Sequence, residues 1–234
     1  MISVCIATYN GENYLEAQLA SVLSQLGEND EIVISDDGSK DSTLQILQKM
    51  NDHRVHVLTD KSFSSPIFNF EHAIKAAKGD YIFLCDQDDV WFPSKLEMMS
   101  RYLKDYDLVV SDCKVVDKDL NVFQNSFFIE MASGSGFLKN FIKNTYLGCC
   151  MAFKREILDY VLPFPRKIAM HDIWIGLSVE LHGKTLFLNE PLMFYRRHEA
   201  NVSFGNGKSQ YSLIYKIRYR AWMLYYLLRR MLII

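Results

Sequence analysis

The first ninety residues repeat one pattern: a short apolar run that stops at a polar, mostly acidic tip. Residues 2–7 (ISVCIA) run into Thr8-Tyr9-Asn10-Gly11. Residues 31–35 (EIVIS) end in Asp36-Asp37-Gly38-Ser39, and residues 81–85 (YIFLC) end in Asp86-Gln87-Asp88-Asp89. Runs this short, bounded by turn-forming residues, read as buried strands. Between them lie segments with helical spacing. Residues 13–25 carry Tyr14, Leu15, Ala17, Leu19, Val22 and Leu23. Asp41-Ser42-Thr43 caps a second helix through Leu44, Ile46, Leu47 and Met50, and residues 67–77 form a third, closed by Lys78-Gly79. Residues 55–58 add a strand. This alternation predicts an α/β fold: a mixed, mainly parallel sheet with helices on both faces. In open α/β sheets ligands bind beyond the carboxyl ends of the strands, so the three tips propose one site.

The second half is less regular. Residues 108–113, 149–153 and 185–188 read as strands, and 134–143, 154–160 and 171–181 as helices. The remainder is expected to be irregular until a last helix from about Tyr211. Composition narrows the function classes. A chain of 234 residues that is 49% hydrophobic and 23% charged can bury a sizeable core without staples. With 26 Lys and Arg against 28 Asp and Glu, it lacks the basic excess of a nucleic-acid binder. The five cysteines show no CxxC spacing and predict free thiols in a reducing cytoplasm, with Cys149 and Cys150 as packing residues. No basic stretch precedes an apolar run at the N-terminus, which predicts no cleaved leader. No run approaches the ~18 apolar residues of a membrane span.

The familiar phosphate loops are missing. Gly134-Ser135-Gly136 is not completed to GxGxxG. Gly183-Lys184-Thr185 and Gly207-Lys208-Ser209 lack the leading glycine of a P-loop, since Ser178 and Val202 stand there. A nucleotide bound by this chain must have its diphosphate held by another device. Asp86, Asp88 and Asp89 are three carboxylates in four residues. They suit a hard divalent cation completed by phosphate oxygens; the plain alternative is a solvated turn capping the helix after Pro93.

Taken in order, Ser3-Val4-Cys5-Ile6-Ala7-Thr8-Tyr9-Asn10, Asp36-Asp37-Gly38-Ser39 and Asp86-Gln87-Asp88-Asp89-Val90-Trp91-Phe92-Pro93 resemble the family 2 glycosyltransferases of the GT-A fold. With His171-Asp172-Ile173-Trp174 and Tyr195-Arg196-Arg197-His198, the set looks most like bacterial O-antigen and polysaccharide transferases, rhamnosyltransferases among them. The resemblance covers nearly the whole chain and implies roles by position. Ala7, Thr8 and Tyr9 would contact the nucleotide base, with Tyr9 placed to stack. Asp37 would accept the pyrimidine N3–H of uracil or thymine. Asp86 would contact the ribose, and Asp88 would hold Mg²⁺ or Mn²⁺ against the diphosphate. Asp89 would be a helix-side cap or a further part of the site. Arg196 and His198, in a segment with Arg197 and Asn201, would lie near the diphosphate as phosphate or metal contacts; a solvated basic loop is the alternative. Trp91 and Trp174 would shape pockets or fill core.

Members of this kind invert the anomeric carbon in one displacement, which needs a base for the acceptor hydroxyl. The resemblance places that carboxylate at Asp172, with His171 where an acid is usual. The competing reading of Asp172 is a helix cap.

Residues 211–234 carry Lys216, Arg218, Arg220, Arg229 and Arg230 and no acid, leaving 21 basic against 28 acidic residues upstream. On a wheel, Leu213, Ile214, Ile217, Ala221, Leu224 and Leu228 share one side, and Tyr211, Tyr215, Tyr219, Trp222 and Tyr226 the other. That composition suits an interfacial helix on an anionic membrane, or a helix packed on its own domain or a partner subunit.

The expected organisation is a transferase domain over 1–205, split into a donor half (1–100) and an acceptor half (101–205), with a basic, aromatic helix over 206–234. The expected enzyme moves a sugar from a dTDP- or UDP-linked donor to a lipid-linked or growing polysaccharide in the cytoplasm, at the inner membrane face. A nucleotidyltransferase competes, but Thr8-Tyr9-Asn10-Gly11 lacks the basic residue it would need. A non-catalytic sugar-binding or scaffolding domain would be expected to lack Asp88 or Asp172.

Overall fold

The structure is a computed structural model that describes residues 1–198 and 212–232. Its leading half follows the alternation. Strands β1 (Ile2–Thr8), β2 (Glu31–Asp36), β3 (Val55–Leu58) and β4 (Tyr81–Asp86) are separated by α1 (Leu15–Leu23), α2 (Thr43–Lys49) and α3 (Pro66–Ala76). The strands pair in parallel in the order β3-β2-β1-β4. Register brings the tips together: Thr8 lies opposite Asp36, and Ala7 opposite Asp86. Successive strand residues face opposite sides of a sheet. Val4, Cys5 and Ile6 are all inaccessible, as are Ile82, Phe83, Leu84 and Cys85, so both faces are covered.

The rest of the chain extends this sheet. A two-residue strand β5 (Val90–Trp91) follows the third tip, then α4 (Lys95–Tyr102), β6 (Leu108–Val116), β7 (Val122–Gln124), α5 (Phe127–Met131) and α6 (Phe137–Ile142). A 3₁₀ turn over Gly148–Cys150 leads into β8 (Met151–Lys154), and a second over Arg155–Ile157 leads into α7 (Leu158–Val161). Helix α8 (His171–His182), strand β9 (Thr185–Arg196) and helix α9 (Leu213–Met231) complete the elements. β8 sits antiparallel between β4 and β6, β9 runs parallel to β6, and β5 closes antiparallel on β9.

Two expectations change here. Residues 149 and 150 belong to the 3₁₀ turn rather than to a strand, with Cys150 N–H closing on Leu147 O at 3.0 Å. Residues 189–196, expected to be irregular, continue β9. Asn189-Glu190-Pro191 resembles a turn, and proline cannot donate to a ladder. The strand absorbs it where the β6–β9 register shifts, with Pro191 opposite Asp112, and then resumes to Arg196. That continuation carries Arg196 and His198 to the acidic tip.

Helix α9 packs on the domain through Met223 and Leu227, both buried. Arg220 Nε donates to Phe141 O at 2.8 Å, and Arg230 donates to Tyr160 O at 3.0 Å. Of the two sides expected on the wheel, the tyrosine-bearing side faces the protein at Tyr226, while Ile214, Ile217, Leu224 and Leu228 are exposed. Asn201, Tyr211, the Gly207-Lys208-Ser209 triplet and the expected boundary between residues 205 and 206 lie outside the described residues. Among the described residues no helix is long and apolar enough to cross a membrane.

Candidate active site

The first tip is built around a buried threonine. Thr8 Oγ1 donates to Asp36 Oδ2 at 3.0 Å, and Thr8 O accepts from Asp37 N–H at 2.9 Å and Asn69 Nδ2 at 3.1 Å. Tyr9 follows with its side chain 56% exposed at the mouth of the site. Its backbone is clamped by one amide: Tyr9 N–H donates to Gln87 Oε1 at 2.9 Å, and Gln87 Nε2 donates to Tyr9 O at 3.0 Å. A Cβ at Gly11 would stand 2.5 Å from Gln87 Oε1, so a side chain there would displace the clamp.

The second tip is tied down by its two aspartates. Asp36 Oδ1 accepts from Gly38 N–H at 3.1 Å and Ser39 N–H at 2.9 Å, and Gly38 supplies the positive φ (81°) that the turn needs. Asp37 gathers the segment before α3. Its Oδ1 accepts from Ser62 Oγ at 3.0 Å, from Ser64 N–H at 2.9 Å and from Phe63 N–H, and its Oδ2 accepts from Ser65 N–H at 2.9 Å. Oδ1 is thereby saturated, while Oδ2 keeps one acceptor position.

The third tip concentrates charge. Burial and the neighbouring Asp88 carboxylate push Asp86 up to about 7. Burial and the charges of Asp88 and Asp86 also push Asp89 well above the carboxylate range. Asp89 is wholly inaccessible and accepts Arg196 N–H on Oδ1 at 3.0 Å. Asp88 is 6% exposed and meets His198, Oδ2 to Nε2 at 2.8 Å. Arg196 is buried beneath the tip, with Nε donating to Asp88 O at 2.7 Å and Nη1 to Lys118 O. Tyr14 lies between the two basic residues: its ring stacks on His198 at 4.8 Å, and the Arg196 guanidinium sits 4.6 Å from its centroid.

Asp172 reaches this tip through a short chain of contacts. Ligand atoms of Asp86, Asp89 and Cys149 lie within 4.8 Å of one another. Gly148, next to Cys149, packs on His171 so tightly that a Cβ would stand 2.7 Å from Nε2. His171 opens α8 and Asp172 follows it. The Asp172 charge is among those acting on Asp86, which puts base candidate and tip in one electrostatic site. Burial raises Asp172 to about 6 and lowers His171 to about 4. Asp172 Oδ1 accepts Ile173 N–H at 2.6 Å, and Oδ2 meets Asn144 Nδ2 at 3.4 Å. No ring nitrogen of His171 has a hydrogen-bond partner.

The donor set fits a divalent cation. The Asp86 and Asp89 carboxylates converge, and their upward shifts come first from burial and then from neighbouring negative charge, the part that a cation would relieve. Of the two groupings, Asp86–Asp89–Cys149 is the less suitable, because burial keeps the Cys149 thiol protonated and sulfur is a soft ligand. Asp88 with His198 is the more open.

Residues 3–162 match the family described as "Glycosyl transferase family 2". The chain belongs to that family. It is 27% identical over 221 residues, 89% of this chain and 84% of that one, to the "Putative teichuronic acid biosynthesis glycosyltransferase TuaG" of Bacillus subtilis. With the dTDP-rhamnosyl transferase RfbG of Shigella flexneri it shares 27% identity over 91% of this chain and 79% of that one. With the UDP-Glc:alpha-D-GlcNAc-diphosphoundecaprenol beta-1,3-glucosyltransferase WfgD of Escherichia coli it shares 26%, over 89% and 81%. The fold matches S. aureus TarS in complex with UDP with a TM-score of 0.68 at 23% identity, over 84% of this chain; the chain spans 60% of the TarS chain. The architecture is therefore the GT-A fold.

Three residues that the structure brings to this candidate site were not singled out from the sequence. Gln87 is the middle residue of Asp86-Gln87-Asp88, where only the acids carried a signal. Tyr14 counted as one apolar position of a helical stripe. Asn144 lies in a stretch without any motif.

Proposed function

We propose that this family 2 transferase moves a sugar, with inversion, from a dTDP- or UDP-linked donor to a hydroxyl of a lipid-linked or growing polysaccharide. The observation that carries the reading is the contact path joining the acidic tip to Asp172 through Cys149, Gly148 and His171. It brings Asp172, raised by burial to about 6, within electrostatic reach of Asp86, which supports a base acting next to the acidic tip. RfbG and WfgD, whose names specify a dTDP-rhamnosyl and a UDP-glucosyl transfer, support the donor class and the lipid diphosphate acceptor.

In this mechanism Tyr9 stacks on the base, and the free lone pair of Asp37 Oδ2 accepts its N3–H. Thr8 and Ala7 set the height of that platform, and Asp86 takes the ribose. Asp88 and His198 would hold Mg²⁺ or Mn²⁺, which supplies positive charge against the leaving diphosphate. Arg196, fixed by Asp88 O and Asp89, adds a second positive charge behind the tip. Asp172 takes the proton of the acceptor hydroxyl as it attacks. Residues 1–100 serve the donor, 101–205 the acceptor, and the last helix the membrane side of a cytoplasmic enzyme.

The test is a transfer assay with dTDP- and UDP-sugars, Mn²⁺ and a short soluble acceptor, with the anomer of the product read by NMR. Inverted product from wild type, formed ~10²–10⁴-fold more slowly by Asp172→Asn, supports the assignment. Retained configuration, or unchanged turnover by Asp172→Asn, overturns it.

A further inference from the structure

We propose that the outward faces of α9 and α6 form one surface that seats on an anionic bilayer. The proposal extends the lipid-linked acceptor reading by naming the face, the second element and the lipid charge.

Helix α9 is two-sided in an unusual way. Its inner side is fastened by Met223 and Leu227 and by the Arg220 and Arg230 guanidinium groups on backbone carbonyls. Two of its five cations are thus committed to docking. Its outer side is aliphatic, with Ile214 78% exposed, Ile217 61%, Leu224 40% and Leu228 53%. Arg218 and Arg229 stand exposed on the same helix.

Helix α6 adjoins it. Arg220 donates to Phe141 O and also to Ile142 O, so the C-terminal end of α6 meets α9 through the Arg220 side chain. Leu138 and Ile142, one turn apart on α6, are 72% and 70% exposed. Helices with apolar side chains turned fully outward in this way bury them against something.

Charge selects the occupant. Neither 131–143 nor 212–232 contains an acid, and together they carry Lys139, Lys143 and the five cations of α9. With these seven removed, 19 basic residues face 28 acidic ones in the rest of the chain. A second copy of the same face would bring cation against cation with no acid to offset it. An anionic lipid surface complements both the cations and the aliphatic side chains. The placement also serves the chemistry: Asn144 follows α6 by two residues and its amide reaches Asp172. A lipid-linked acceptor held at this surface has its sugar on the side of the base.

The experiment uses the full chain with phosphatidylglycerol and phosphatidylcholine vesicles, in a sedimentation assay at low and high salt. The variants are Ile217→Ser with Leu224→Ser, and Arg218→Glu with Arg229→Glu, all at exposed positions, with folding checked by thermal melting. The wild type is expected to pellet with phosphatidylglycerol and not phosphatidylcholine, and to be released by salt. Each double variant should bind at least ~10-fold more weakly, because each removes part of the apolar or cationic contact. Equal pelleting of wild type and variants overturns the proposal. So does a dimer, seen by light scattering, that the serine pair dissociates. Turnover of nucleotide sugar with a soluble acceptor is measured in parallel: it tests the transferase reading alone and should not change in these variants.

Discussion

The two sides of the site, which the proposed function assigns to donor and acceptor, are held in different ways. Around the donor tips nearly every polar side chain is tied to backbone: Asp36 to 38–39, Asp37 to 62–65, Asn69 to Thr8, Gln87 to both ends of the Tyr9 peptide. Around Asp172 itself the ties are few, although the 133–147 segment beside it is cross-linked by Asn140, Thr145 and Tyr146. Asp172 is held by the N–H of its own neighbour and by one contact at 3.4 Å, and His171 by packing alone. The nearby segment holds Gly134 and Gly136, both at positive φ. Tips tied to backbone in this way are preorganised, with Asn69 Oδ1 and Asp89 Oδ2 left without a partner, whereas on the other side both ring nitrogens of His171 are left so. The difference teaches where mutations should change affinity and where they should change turnover.

The largest effect is expected at the donor tip. Asp88→Ala removes the carboxylate that meets His198, and transfer should fall below detection. Binding of nucleoside diphosphate in the presence of Mn²⁺, followed by calorimetry, should weaken in parallel. Full activity of this variant, or of wild type in excess EDTA, would contradict a cation at Asp88.

Asp172→Asn should separate the two sides most cleanly. The amide keeps the shape but cannot take a proton, so kcat should drop ~10²–10⁴-fold with donor affinity unchanged. A matching loss of donor affinity would move Asp172 to the donor side. The wild-type rate should rise with pH and level off above about 6, the value to which burial raises this carboxyl. The same shift predicts a cost in stability. Folding raises the pKa from 3.8 to about 6, so the folded state favours the proton. That stabilisation is complete below 3.8 and is lost as pH rises through 6, on the order of 3 kcal/mol. At pH 8 Asp172→Asn should therefore melt above wild type, while at pH 4 the two should converge.

The same contrast explains what could be read from the sequence. The strand tips were legible because an apolar run meeting an acid is a local signal, and Asp36, Asp86 and Asp88 stand where that signal places them. β9 was cut short because Pro191 looks like an ending, and only its neighbour β6 shows that the ladder resumes. β5 and β7 are too short to carry a period. Gln87 acts on a residue 78 positions away, and Asp37 on 62–65, so their partners depend on the assembled sheet. α9 showed its two sides on a wheel, but which side docks is decided by Met223 and Leu227, residues outside both stripes.

Gln87→Ala tests the rigidity of the donor side. Two hydrogen bonds to the Tyr9 peptide are lost, each worth about 1 kcal/mol. Donor Kd should rise ~10-fold, with kcat at saturating donor within about twofold of wild type. A fall in kcat with unchanged Kd would show that the Tyr9 platform is not what the clamp serves.

The smallest effect is expected at Asn144, and it is the most specific. Tyr146 N–H donates to Asn144 Oδ1 at 3.0 Å, which fixes the amide orientation and leaves Nδ2 toward Asp172 Oδ2. At 3.4 Å that contact is weak, so it orients the carboxylate more than it stabilises it. Asn144→Ala should lower kcat several-fold, within about 1 kcal/mol, and leave the acceptor KM, the donor Kd and the melting temperature near wild type. Asn144→Asp keeps the acceptor for Tyr146 but sets a second carboxyl against Asp172, which would raise the pKa of the base. Its rate profile should rise at higher pH than that of wild type, while the Asn144→Ala profile moves less. If both variants lose stability or donor affinity instead, Asn144 belongs to the hydrogen-bonded fold of the 133–147 segment, with Asn140, Thr145 and Tyr146, and not to the positioning of Asp172.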